Sequence, residues 1–159
     1  MMKKIFLWML VIACMGTIFF FSSQEATESS ELSSGFIVSI IRFFNVREAF
    51  SEAEIKEISK AFNNIVRMGA HFAIFSVLGF LIALLLGEYN LHGVKQIIYS
   101  LVWSFIYSCT DEIHQSFVPG RSAQITDIIA DTLGAFTGAL FAVMISIIIR
   151  RLNKKHHTE

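Results

Sequence analysis

The chain has 159 residues, 54% of them hydrophobic, with a mean hydropathy of +0.60 and 13 basic against 13 acidic side chains. That is too apolar for an ordinary water-soluble domain of this length, and 16 phenylalanines against a single proline suit long apolar helices better than a loop-rich fold. No basic patch of the kind that grips nucleic acid is present, so the composition points to a membrane protein with no nucleic-acid partner.

Ile5 to Phe21 carries no charge and follows Lys3 and Lys4. Extended by Ser22 and Ser23, it makes a first span over about residues 5–23, close to the roughly twenty residues a bilayer asks for. A cleaved leader is the rival reading, and Val11-Ile12-Ala13-Cys14 has the form of a lipoprotein box. The run stays apolar from Met15 to Phe21, where a processed chain turns polar, so a retained anchor is expected.

Residues 24–67 shift in composition. Gln24 to Ser34 is acidic and serine-rich and reads as a loop. Phe36, Ile37, Ile40, Ile41, Phe43 and Phe44 form one apolar arc at helical spacing, with Ser39 and Arg42 opposite, as in a helix lying in the membrane interface. Ser51-Glu52-Ala53-Glu54 has the form of a capping box and starts a second helix, with Ile55, Ile58, Phe62 and Ile65 in period. Both helices are expected to cover one mouth of the bundle.

The second span covers about 68–87, with Arg67 and His71 on one helix face at its start. After the polar loop from Glu88 to Lys95, a third span runs over about 96–114. Ser100, Ser104, Tyr107, Asp111 and His114 fall at steps of four and three along it, a polar stripe that faces inward rather than toward lipid. The stripe ends in Asp111-Glu112-Ile113-His114-Gln115-Ser116-Phe117-Val118-Pro119-Gly120-Arg121, where Pro119-Gly120 marks a turn. The fourth span covers about 128–149, and a basic tail occupies 150–159. Asp127 and Asp131 share a face with Gly134 and Gly138. That small-residue pair admits a neighbouring helix, expected to be the one carrying Ser100, Ser104, Tyr107 and Asp111.

These elements make one all-α polytopic domain over 1–159, with four transmembrane helices and an extracytoplasmic amphipathic helical segment, 24–67, between the first two. With four spans the two termini share a side. That side holds Lys3, Lys4, Lys95, Arg150, Arg151, Lys154 and Lys155 against only Glu88 and Glu159, which places both termini in the cytoplasm. Cys14 and Cys109 differ in depth, so no disulfide is expected between them.

The chain resembles the VanZ-like family of bacterial membrane proteins. The resemblance rests on Phe21-Ser22-Ser23-Gln24, on Arg67 with His71, and on Asp111-Glu112-x-His114-Gln115-x-Phe117-x-Pro119-Gly120-Arg121. Asp127, then Asp131 to Gly134-Ala135, complete it. The sequence departs from the family pattern at Met68, where a basic residue is usual, at Ile74-Phe75, where an acidic-aromatic pair is expected, and at Asp131, where asparagine is common. The resemblance implies a protein of the bacterial plasma membrane, and its namesake is associated with resistance to the lipid-bearing glycopeptide teicoplanin.

The candidate functional cluster is Gln24, Arg67, His71, Asp111, Glu112, His114, Gln115, Arg121, Asp127 and Asp131. Two arginines suit a phosphate-like anion, so an anionic lipid or lipid-linked envelope component is the expected ligand. The alternative is a membrane-embedded hydrolase or transferase acting on a lipid-linked substrate through Asp111, Glu112 and His114. A purely structural role, in which these groups satisfy one another between helices, is the third reading. No cofactor is expected, and no metal, since His71, His114 and the acids match no tight ligand spacing.

Overall fold

An apolar run without proline satisfies its backbone N–H and C=O groups away from water within its own length by coiling into helix. The computed structural model describes residues 1–43 and 51–156, and these fold into five helices. They are α1 Met2–Ser22, α2 Ala26–Phe43, α3 Glu52–Glu88, α4 Val94–Gln115 and α5 Ile125–His156, with no strand among the described residues. Phe44 of the apolar arc, Arg47, and the tail from His157 lie outside the described residues, as do the side chains of Arg42, Lys154, Lys155 and His156. Among the described residues three stretches are long and apolar enough to cross a membrane: Met2–Ser22, Ala53–Glu88 and Ile125–Leu152.

The polar segment after α1 differs from its expectation as a loop. Helix α2 already begins at Ala26, and Ser33 and Ser39 each return a hydroxyl bond to the carbonyl four residues earlier. The helix that starts at the capping box and the second span also prove to be one element. The capping box at Ser51 and Glu54 starts α3, and no proline interrupts it before Glu88. At 37 residues α3 is about 55 Å long, well beyond the ~30 Å hydrocarbon core of a bilayer. Its first turns carry α2, and Ile37 of α2 and Ile55 of α3 are buried.

Helices α3 and α5 run parallel and make the tightest seam. A side chain at Gly134 would strike the backbone of Phe72, one at Gly138 the backbone of Ser76, and one at Gly79 the backbone of Ala135. Ala83, Ala135, Ala139 and Ala142 are wholly buried. The small-residue face of α5 therefore packs on α3, not on the Ser100–Asp111 face of α4 as the spacing alone had placed it.

Helix α4 is built inside out. Gln96, Ser100, Ser104, Ser108, Asp111, Glu112 and Gln115 are buried, while Val102, Trp103, Phe105 and Ile106 are exposed. Ser100 donates to the Gly79 carbonyl on α3 and Ser108 to Asp131 on α5, so the stripe faces the seam between those two helices. The polar residues lower the average apolarity of α4 without placing a polar group on its outer face there.

Contacts fix the two ends of the bundle. Lys3 pairs with Glu88, the Trp8 indole N–H donates to the Tyr89 hydroxyl, and Arg150 bonds His92, so the start of α1 and the end of α5 share one end. At the other end Val118-Pro119-Gly120-Arg121 closes with Arg121 N–H to the Val118 carbonyl. Gly120 stands at φ 75°, the positive φ that a turn with proline before glycine requires. The candidate residues gather at this second end.

Candidate functional site

Helix α3 brings Arg67 and His71 one turn apart, and α5 brings Asp127 and Asp131 at the same spacing. Because the helices are parallel, the pairs meet in register. Arg67 Nη2 lies 3.2 Å from Asp127 Oδ2, and His71 Nδ1 lies 3.0 Å from Asp131 Oδ1. The other oxygen of Asp131 accepts a 2.7 Å bond from the Ser108 hydroxyl. Asp131, with no exposed surface, is thus satisfied from two helices at once.

Helix α4 supplies the other acids. Gln115 donates its amide to Asp111 Oδ2 at 3.0 Å and to the Ser22 hydroxyl at 2.8 Å, which ties α4 to the end of α1. Glu112 Oε2 accepts the Gln124 backbone N–H at 2.6 Å, just ahead of α5, while its Oε1 is buried without a partner. His71, Asp111 and Glu112 each present a ligand-capable atom, and these lie within 4.8 Å of one another. His114 turns elsewhere. Its Nε2 meets the Ser23 hydroxyl at 3.1 Å and its ring stacks on Phe19 at 4.5 Å between centroids. The imidazole that accompanies Asp111 and Glu112 is therefore that of His71, which the catalytic alternative had assigned to His114.

These groups border a cavity of about 550 Å³ between α1, α2 and α3. Ser22, Gln24, Arg67, His71, Asp111 and Arg121 form its polar end, and Ile18, Phe21, Leu32, Phe36 and Ile74 its apolar wall. Arg121 reaches the Phe21 carbonyl at 3.5 Å, and the Nε atoms of both Arg67 and Arg121 are buried without partners. Burial, and then the nearby Arg67 guanidinium, hold the Arg121 pKa below its ordinary value. Two guanidiniums with spare donors beside one cavity have the chemistry to take an anion bidentately.

All the candidate residues thus lie at one end, and all but His114 are joined to others of the set by a bond, by the convergence of His71, Asp111 and Glu112, or by the shared cavity. Two contributors were missed. Ser108 completes a strict four-residue series with Ser100 and Ser104, which was visible in the sequence, and Ser22 became a partner only because α1 ends beside Gln115.

The VanZ/LLP1 family model matches residues 6–148, nearly the whole chain. The chain belongs to the VanZ/LLP1 family. The matched region takes in every candidate residue from Gln24 to Asp131. No curated protein and no solved structure matches this VanZ-family chain.

Proposed function

We propose that this VanZ-family protein is a four-span bundle of the bacterial plasma membrane. Its outer cavity would bind the anionic headgroup of a lipid or lipid-linked envelope component, and through that it would contribute to resistance against (lipo)glycopeptides. The observation that carries the reading is the pairing of Arg67 and Arg121, each with an unpartnered buried Nε, at the polar end of a cavity whose wall is apolar. A headgroup phosphate suits the guanidiniums, and acyl or prenyl chains suit Ile18, Leu32, Phe36 and Ile74. The family membership supports the link to glycopeptide resistance.

The fourth span in this reading is α4. Its 22 residues reach about 33 Å, enough for a bilayer core, and its exposed face is apolar. The bases at the end shared by Lys3, Lys4, Lys95, Arg150 and Arg151 support a cytoplasmic position for both termini, and hence an outward-facing cavity.

Native mass spectrometry of the purified protein, with vesicles of phosphatidylglycerol and of phosphatidylcholine offered in turn, tests the headgroup reading. An anionic lipid retained by the parent and lost in Arg67→Ala and Arg121→Ala supports it, and equal retention of the zwitterionic lipid refutes it. A second reading, a hydrolase or transferase on a lipid-linked substrate, is favoured by the convergence of His71 with Asp111 and Glu112. Asp111→Asn that keeps lipid binding but abolishes protection would move the assignment to it.

A further inference from the structure

We propose that His71, Asp111 and Glu112 form a binding site for one divalent first-row transition-metal cation, Zn²⁺ or Mn²⁺, behind the polar end of the cavity. Ligand atoms held tetrahedrally at 2.0–2.2 Å from one ion stand roughly 3.3–3.6 Å apart, so three atoms already within 4.8 Å of one another close on an ion by side-chain rotation, without a shift of the helices. The three come from two helices, and their convergence is a product of the fold. His71 and Asp111 stand forty positions apart in the chain, which is why no ligand spacing is visible in the sequence.

The surroundings are those of oriented ligands. An ionised Asp131 can only accept, so the Nδ1–H of His71 faces it and Nε2 is the ring atom that remains for a cation. Asp131 is itself held by Ser108. Metal-bound histidines characteristically have such a carboxylate behind them, which sets tautomer and ring orientation. Asp111 is anchored through Oδ2 by Gln115. Glu112 is anchored through Oε2 by the Gln124 amide, and its Oε1 is left buried and unpartnered in a side chain 2% exposed. An oriented, empty-handed carboxylate oxygen at that depth is what a metal ligand requires.

Charge points the same way. Asp127 has Arg67, and Asp131 accepts from the His71 ring and the Ser108 hydroxyl, but among the described residues no basic side chain is in ion-pair contact with Asp111 or Glu112. Both are buried, at 4% and 2% exposure, and both are adjacent in sequence. Two neighbouring buried carboxylates are costly when ionised, and one divalent cation compensates both. One imidazole with two carboxylates suits Zn²⁺, a borderline ion, and Mn²⁺, which lies above Ca²⁺ and Mg²⁺ in its affinity for imidazole nitrogen, better than it suits Ca²⁺ or Mg²⁺, which prefer all-oxygen sites.

The site does not depend on the lipid reading, and the test separates them. Tag-free protein in detergent is stripped with chelator, dialysed against ZnCl₂ or MnCl₂ with excess MgCl₂, and its metal content measured by mass spectrometry. The expected result is one equivalent per chain. That equivalent should fall at least ten-fold in His71→Gln and in the near-isosteric Glu112→Gln. It should be kept in His114→Ala and in the tail variant His156→Ala/His157→Ala. Asp131→Asn should bind about 10–100-fold more weakly, as loss of a supporting carboxylate does elsewhere. Co²⁺ in place of Zn²⁺ should give a visible absorption band absent from Glu112→Gln, and thermal melts show which variants are folded. The proposal is overturned if the folded parent binds no Zn²⁺ or Mn²⁺. It is equally overturned if folded Glu112→Gln keeps the full equivalent, or if the tail variant loses it. Loss of metal with lipid retention intact would leave the headgroup reading standing, and the converse would leave this site standing.

Discussion

His71 on α3 and Asp131 on α5 are 60 residues apart in the chain and meet at 3.0 Å. Arg67 and Asp127, one turn earlier on each helix, meet at 3.2 Å. Two parallel helices in contact repeat the same register at each turn, so the glycines that bring α5 onto α3 also align both acid–base pairs. Asp131→Ala should remove a partner from the His71 ring and from the Ser108 hydroxyl together, at about 1–3 kcal/mol per stranded polar group. Thermal unfolding in detergent should then show His71→Ala and Asp131→Ala to be non-additive, by about 0.5 kcal/mol or more. Additive losses would mean the two side chains do not share their stabilisation.

The α3–α5 seam makes its own prediction. Gly138→Leu drives a side chain into the backbone of Ser76, which cannot yield as a flexible side chain would, and should cost at least the ~1–3 kcal/mol of an overpacked core. Gly16→Ala in α1 meets nothing within 4 Å and should hold or raise the melting temperature, since alanine favours helix. Equal melting temperatures for the two variants would refute the seam.

Topology can be read with reporters. A fusion after Glu159 should signal the cytoplasm, and an insertion near Ser30 should signal the exterior. Both signals on one side would mean that an even number of spans separates the two reporters, so that α3, α4 and α5 do not all cross.

The arginines at the cavity should govern function. Arg121→Ala should reduce anionic-lipid retention about ten-fold or more, the scale of a lost charge-assisted hydrogen bond. In cells it should reduce protection against a lipid-bearing glycopeptide more than against one lacking the lipid. Arg121→Lys should restore little, because a point charge cannot reproduce a bidentate fork. Lys60→Ala, an exposed base on α3 away from the cavity, is the control and should behave as the parent. Full protection by Arg121→Ala at equal protein level would remove the arginine from the mechanism.

What the sequence by itself determined follows from periodicity and composition. Apolar runs with a single proline specify long helices, the capping box at Ser51 specifies where α3 starts, and Pro119-Gly120 specifies the turn before Arg121. The polar stripe on α4 was legible too, because a 3.6-residue period puts Ser100, Ser104 and Asp111 on one face whatever they touch. Local pattern could not say where a helix continues when nothing stops it. Residues 26–34 are polar yet helical, and 52–67 run straight into the second apolar stretch, because tolerance of helix is weaker than a signal for it. Nor could it choose between neighbours. Gly134 and Gly138 promised a close helix, and only the packed bundle decided that it is α3. The same packing chose His71 over the nearer His114 as the imidazole beside Asp111 and Glu112, since a helix turns adjacent residues about 100° apart and leaves their companions to be supplied by another helix.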